Sequence, residues 1–325
     1  MGQWICMGCL KTKDQDCCPH CGRRNDQLRN IPAQLKVFTP LKNGQYTVGV
    51  APGGMVGEPH GYTYTGWDHA NQRPVTIKEC AYIRECGERK DAIASSDSHW
   101  YSFVHSFEVQ WRTQRRLNLR SIPRIWDIFP SDVPREPYTV YAVQERVEGI
   151  SLDRFVQNLG GKLNGAGVVR LLGPVMGDLC RAHSVGLFHG DIGIHALAVT
   201  GDGRARFFDF GTVENYGDAD IPLPPARTPY TYLDQKEYSE LERCQREEVY
   251  QMGLLIWECL TGNRRERFRR NTPLQLDWRG CDPVFTQTMR SAVERAASAD
   301  IHYQYMTMAD FCRDLFRELG GTGRF

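Results

Sequence analysis

The residues best equipped for chemistry stand at the start of the chain. Residues 6–22 read Cys6-Met-Gly-Cys9, eight intervening residues, then Cys18-Pro-His-Cys21-Gly22. Each CxxC pair forms a tight turn that lets two sulfurs face one point, and four thiolates in a tetrahedron suit Zn²⁺. Such a site can fold a segment too short to own a core, and with no open coordination position its role is structural or in docking. Cys17 and His20 are spare ligands outside that symmetric pairing. Losing Cys18 is expected to unfold residues 1–24 and spare the rest. A second constellation lies further on: His189-Gly-Asp191 and Asp209-Phe-Gly211 flank Ala198-Val-Thr, a Gly201-Asp-Gly203 turn and Arg206-Phe-Phe208. A hairpin of that length brings the carboxylates of Asp191 and Asp209 side by side.

The elements that must position these groups follow from periodicity. Alternation predicts strands over Gln45 to Val50, Tyr62 to Trp67, Pro74 to Lys78 and Tyr138 to Gln144. The glycine-bearing segment Gly53-Gly54-Met-Val-Gly57-Glu58-Pro59-His-Gly61 joins the first two. A helix is predicted over Trp100 to Leu119. Val168, Leu171, Leu172, Val175, Met176, Leu179 and Ala182 recur at spacings of three and four, an apolar stripe on a helix face. Val249, Met252, Ile256 and Leu260 repeat it, and Ala292 to Ala297 and Met308 to Leu319 complete the helices. Strands first and helices later predict an α+β lobe followed by a mainly helical one. Residues 25–44 lack periodicity and read as a linker.

Bulk properties exclude several classes. In 325 residues, 41% hydrophobic and 24% charged composition is that of a globular protein. A net charge of +1 gives no nucleic-acid signal. No apolar run approaches the roughly 20 residues of a membrane span; Val249 to Thr261 is too short. The N-terminus lacks a signal peptide's regions, and Cys6 stands where a myristoylation motif wants Ser or Thr. Of 12 cysteines, five lie within residues 6–21 and the rest are scattered singly among apolar neighbours. That distribution suits a metal site plus reduced thiols, and a cytoplasmic location is expected.

Val75-Thr-Ile-Lys78, His189-Gly-Asp191 and Asp209-Phe-Gly211, in that order and separation, resemble the protein-kinase signature set. With Cys18-Pro-His-Cys21-Gly22, which is similar to the second knuckle of a zinc ribbon, the chain resembles bacterial serine/threonine kinases that carry an N-terminal zinc ribbon. The resemblance covers nearly the whole chain, including Tyr141-Ala-Val-Gln144-Glu145 and Glu148-Gly149. It implies a bilobal kinase-like fold: zinc ribbon over 1–24, linker over 25–44, β-rich N-lobe over 45–148 and helical C-lobe over 149–325. It implies that Lys78 binds the α/β-phosphates of ATP and pairs with a helix glutamate, for which Glu108 is chosen. Asp191 accepts the substrate hydroxyl's proton and Asp209 holds Mg²⁺. Gly53, Gly54 and Gly61 cover the phosphates, Gln144 is the gatekeeper, and the backbone of Glu145 to Val147 faces the adenine.

The chain departs from the family pattern at several of these places. The Asn that holds a second Mg²⁺ is Ala196, the residue two after the catalytic Asp is Gly193, and the Arg before it is Gly190. The phosphate loop is lengthened and carries Glu58-Pro59, a carboxylate that repels phosphate and a residue without an N–H donor. Tyr230-Thr-Tyr-Leu-Asp234-Gln235 replaces Tyr-Ala-Pro-x-Glu-Gln, its usual Arg partner is Gln304, and the usual Asp of the central helix is Glu248. The segment from Thr212 to Gln235 is therefore expected to lack its usual anchor. The run Arg264-Arg265-Glu-Arg267-Phe-Arg269-Arg270 reads as a solvated loop or a dock for an acidic or phosphorylated partner. The expected function is a regulatory or scaffolding pseudokinase with a protein partner or substrate, and with nucleotide binding retained. The alternatives are an active serine/threonine kinase using a single metal ion and a small-molecule phosphotransferase.

Overall fold

The computed structural model describes residues 4–24, 28, 34–51, 61–80, 98–131, 139–210, 240–264, 276–281, 285–298 and 300–317. The chain divides into two compact units, Met1–Arg116 with Arg124–Arg146, and Leu117–Pro123 with Val147–Phe325.

The first unit opens with a two-stranded ribbon, β1 (Trp4–Ile5) and β2 (Thr12–Lys13). Its main body is an antiparallel six-stranded sheet of β3 (Pro40–Leu41), β4 (Tyr46–Val48), β5 (Gly61–Asp68), β6 (Arg73–Cys80), β7 (Ile125–Pro130) and β8 (Val140–Glu145), with spatial order β3-β4-β5-β6-β8-β7. Strand alternation sends Val75, Ile77 and Glu79 to one face, and Lys78 to the other with its cross-strand neighbours Thr63 and Ala142. The first face is the core, closed by Leu41, Tyr46, Val48, Tyr62, Tyr64, Phe129, Tyr141 and Val143. Helix α1 (Ser98–Leu117) buries Val104, Phe107, Gln110, Trp111 and Gln114, a stripe at helical spacing.

Two features of this unit lie beyond what periodicity predicts. Within the stretch read as linker, β3 pairs with β4, Leu41 is buried, and the Leu35 N–H donates to the Tyr64 hydroxyl at 3.1 Å. A two-residue strand is too short to announce itself by alternation. The cysteine module is also packed into the unit. Met7 and Leu10 bury against Trp67, with Ile5, Leu28 and Val37 around them, and the Val50 N–H donates to the Met7 carbonyl at 3.4 Å. Residues 4–24 thus share apolar surface and a backbone bond with the sheet, against the expectation that they can unfold while sparing the rest.

The second unit holds the hairpin β10 (Leu197–Val199) and β11 (Ala205–Phe207), extended by β9 (Ile150–Ser151). Its helices are α2 (Leu152–Asn158), α3 (Gly165–His183), α4 (Glu240–Thr261), α5 (Gln287–Ala296) and α6 (Met308–Leu315). Asn164 caps α3, its side-chain oxygen accepting from Gly167 N at 2.7 Å. The predicted stripe of α3 faces the core, where it meets Val249, Met252, Leu255, Ile256 and Leu260 of α4.

Candidate active site and cysteine centre

The four cysteines converge. The sulfurs of Cys6, Cys9, Cys18 and Cys21 all lie within 4.8 Å of one another. Across the two knuckles, Cys6 Sγ is 3.7 Å from Cys21 Sγ and Cys9 Sγ is 3.6 Å from Cys18 Sγ. A tetrahedral ion with metal–sulfur bonds of about 2.3 Å has edges of about 3.8 Å, so the set fits Zn²⁺. Each knuckle is a turn closed by a backbone bond, Leu10 N to Cys6 O at 2.7 Å and Gly22 N to Cys18 O at 2.8 Å. The residue after each second cysteine is left-handed, Gly22 at φ 67° and Leu10 at φ 63°. Glycine takes that conformation freely, whereas a branched side chain there is strained; Leu10 holds it while burying its side chain on Trp67. Burial pushes the Cys9 thiol up to about 12. Burial also acts upward on Cys18, but hydrogen bonds from the His20 and Cys21 backbone and from the Cys9 and Cys6 thiols outweigh it, leaving Cys18 at about 6. Cys17 is exposed, its thiol directed to the Gly22 carbonyl, and His20 is exposed.

The kinase-like residues fall in both units, each described within its own. In the first, Lys78 is buried on β6. Glu79, on the opposite face, is buried with Tyr64 donating to Oε2 at 2.7 Å and Tyr141 to Oε1 at 3.5 Å. Burial, then the Glu79 charge, pushes the thiol of the next residue, Cys80, well up, so it is an inert core thiol. Gly61 opens β5 opposite Cys80. Gln144 is fully buried near the end of β8. Glu145 N donates to Arg124 O at 2.8 Å, while the Glu145 carboxylate accepts from Arg124 N at 3.2 Å. Glu108 is placed off the buried stripe of α1, its Oε1 taking Arg112 Nη2 at 2.5 Å, one turn on. The buried amides of that helix are Gln110 and Gln114. Gly53, Gly54, Glu58 and Pro59 lie outside the described residues.

In the second unit, α4 holds the loop that carries Asp191. The Glu248 carboxylate accepts from His189 N and, at 2.6 Å, from Gly190 N, and it contacts His183 Nε2 at 2.7 Å. One turn on, Gln251 Oε1 accepts from Ile192 N at 2.7 Å. Gly190 sits at φ 86°, a conformation glycine adopts without a Cβ clash. The His189 ring packs on Phe207 and edge-on to Phe210, with centroids 4.5 and 5.4 Å away. Asp191 is half-exposed, and its Oδ2 lies 3.1 Å from His195 Nε2. The hairpin register pairs Leu197 with Phe207, so Asp191 and Asp209 belong to loops at the same end. Ala196 occupies that end with a methyl group; its carbonyl accepts from Phe208 N. Val147 is buried in this unit, and Asp209 Oδ1 accepts from Phe210 N at 2.7 Å.

The departures read from sequence divide accordingly. Glu248 keeps a carboxylate on the loop, with its extra methylene taken up in the reach to three donors. Gln304 is buried, its amide donating to Arg246 O at 3.2 Å and Ala296 O at 3.0 Å. Asp234 and the segment from Thr212 to Gln235 lie outside the described residues, as do residues 265–270; Arg264 pairs with Asp153 at 2.6 Å. Sequence reasoning missed Glu79, His195 and Gln251. The four-residue spacing of Asp191 and His195 was the one available signal, and the other two depend on long-range packing.

No family model matches the chain. It is 29% identical over 201 residues to the serine/threonine-protein kinase PknL of Mycobacterium bovis, which covers 62% of this chain and 46% of PknL. It is 21% identical over 225 residues to the serine/threonine-protein kinase PrkC of Bacillus subtilis, covering 66% of this chain and 33% of PrkC. The chain thus spans less than half the length of these relatives. Among solved structures, the kinase domain of Mycobacterium tuberculosis PknI superposes with a TM-score of 0.56 at 16% identity, covering 89% of this chain and 100% of that one. The apo form of PpkA-294 gives 0.58 at 17% identity, covering 87% and 99%. At such identities the superpositions speak for the fold alone. Among the described residues no helix is long and apolar enough to cross a membrane. The chain has a bilobal protein-kinase-like fold preceded by a zinc-ribbon-like cysteine site, and its sequence is similar to those of bacterial serine/threonine kinases.

Proposed function

We propose that this chain is a regulatory or scaffolding pseudokinase that binds nucleotide and transfers phosphate weakly or not at all. The observation that carries this reading is Ala196. The loop around it is held by Glu248 and Gln251 and backed by the His189–Phe207–Phe210 cluster, yet the position that needs a metal-ligand oxygen offers only a methyl group. The scaffolding is retained while a ligand atom is missing. Lys78 is the residue to hold the α/β-phosphates and Asp209 the one to hold Mg²⁺, which would neutralise charge on the phosphates. Zn²⁺ is the ion proposed for the cysteine centre, a reducing cytoplasm the setting, and a protein the partner or substrate. One observation favours the active, single-metal alternative: Asp191 keeps a solvent-accessible carboxylate with His195 beside it.

The deciding experiment is a thermal-shift titration with ATP, with and without Mg²⁺ or Mn²⁺, alongside radiolabelled ATP incorporation. A shift with ATP and no incorporation is expected. Incorporation lost in both Lys78→Ala and Asp209→Ala would make the protein an active kinase. No shift under any condition would remove nucleotide binding from the proposal.

A further inference from the structure

The geometry points to a redox-modification site in the second unit: Cys180 of α3 and Cys312 of α6 form a thiol pair that closes to a disulfide when the chain meets a hydroperoxide. Their sulfurs lie 3.9 Å apart, already in contact across two packed helices. A disulfide needs about 2.05 Å, so each sulfur must travel about 1 Å, within reach of small side-chain rotations. The two thiols differ in the way such a pair requires. Cys180 is partly exposed, whereas Cys312 is buried. The hydrogen bond from Cys312, and then the backbone and the Arg181 charge, lower the Cys180 thiol against the opposing effect of burial. The same hydrogen bond and burial push Cys312 up. Cys180 is therefore the attacking thiol and Cys312 the resolving one.

The step balances with hydrogen peroxide as oxidant. The Cys180 thiolate attacks one peroxide oxygen, an S–O bond forms and the O–O bond breaks. With the thiol's proton the leaving hydroxide becomes water, and Cys180 is a sulfenic acid. The Cys312 sulfur then attacks the Cys180 sulfur, the S–O bond breaks, and the departing hydroxide takes the Cys312 proton to form a second water. Two thiols lose two electrons, and the peroxide gains them. The bond closes a loop across a separation of 132 residues and fastens α6 to α3. This site is independent of the nucleotide reading.

The test uses the full zinc-loaded chain, treated with hydrogen peroxide, alkylated, and mapped without reduction by mass spectrometry, which keeps the four ribbon cysteines separate. A linked Cys180–Cys312 peptide pair about 2 Da lighter than its two thiols is expected, reverting with a thiol reductant. The unfolding midpoint should rise by about 5–10 °C, and Cys180→Ser should abolish the rise. In Cys312→Ala the reaction should stall at a Cys180 sulfenic acid trapped by dimedone. Recovery of Cys180 as an alkylated thiol or a sulfinic acid, with Cys312 unchanged, would overturn the proposal. So would an absence of the dimedone adduct in Cys312→Ala.

Discussion

Glu248 Oε2 sits 2.7 Å from His183 Nε2, with both side chains almost wholly removed from solvent. The other carboxylate oxygen takes the backbone N–H groups of His189 and Gly190, so one buried anion gathers three donors from two segments. Glu248→Gln keeps the shape but turns an NH₂ group toward donors. It should destabilise the helical unit by about 2–3 kcal/mol, the upper part of the range for a buried polar group left without its partner. Glu248→Asp keeps the charge and loses reach, and should cost less, about 1–2 kcal/mol. Urea unfolding followed by far-ultraviolet circular dichroism ranks the two; a smaller loss for Gln than for Asp would refute this account of the anion.

Zinc should bind at one ion per chain, and its removal should be felt beyond residue 24. Met7 and Leu10 are buried on Trp67, and Val50 donates to Met7 O. Chelation or Cys18→Ser is therefore expected to raise amide hydrogen exchange in Gly61–Asp68 as well as in the module. Leu10→Gly relieves a left-handed leucine but exposes the Trp67 face, so the net change should be a loss of about 1–2 kcal/mol. Elemental analysis finding no zinc in chelator-free protein, or exchange confined to residues 1–24 after metal loss, would contradict this.

Tyr64→Phe tests the polar cluster within the sheet core. The Tyr64 hydroxyl donates to Glu79 and accepts from Leu35 N, so its removal leaves a buried carboxylate short of one donor and a backbone N–H without that acceptor. A loss of about 1–3 kcal/mol is expected in denaturant unfolding. An unchanged midpoint would mean that water replaces the hydroxyl.

Phosphoryl transfer should not return with Ala196→Asn alone. Losing one preorganised electrostatic element typically lowers rate by about 10²–10³. On the pseudokinase proposal, Ala196 lacks one such element, and Glu58-Pro59 alters a second in the sequence proposed to cover the phosphates. Radiolabelled ATP incorporation by the single variant, at a rate comparable to an ordinary kinase, would show that Ala196 was the whole defect.

Much of this arrangement was legible from residue order. The double CxxC spacing gave the cysteine centre, and the stripe from Val168 to Ala182 gave the buried face of α3. Glu108 is chosen by its distance along the chain, which carries no information on helix face: Val104, Phe107, Trp111 and Gln114 define the buried stripe, and Glu108 lies beside it, paired with Arg112. Glu248 and Gln304 read as losses because a motif compares residue types at fixed places, whereas hydrogen bonds depend on where the backbone brings the atoms. Glu248 reaches its donors with a longer stem, and Gln304 caps two carbonyls instead of pairing with an acid. The linker concealed its ordered part because Leu35 and Leu41 act through single contacts, which leave no period to detect.

The seam between Met7, Leu10 and Trp67 also bears on how such a chain is assembled from parts. A module joined only by a flexible tether can be exchanged, duplicated or deleted as a cassette, and recombination at residue 24 would be silent. Here that cut strips cover from Trp67 and removes the carbonyl that meets Val50. The cysteine piece and the sheet must therefore change together, substitution by substitution. A graft of another ribbon onto this sheet should need a left-handed apolar residue at the position of Leu10 before it is tolerated.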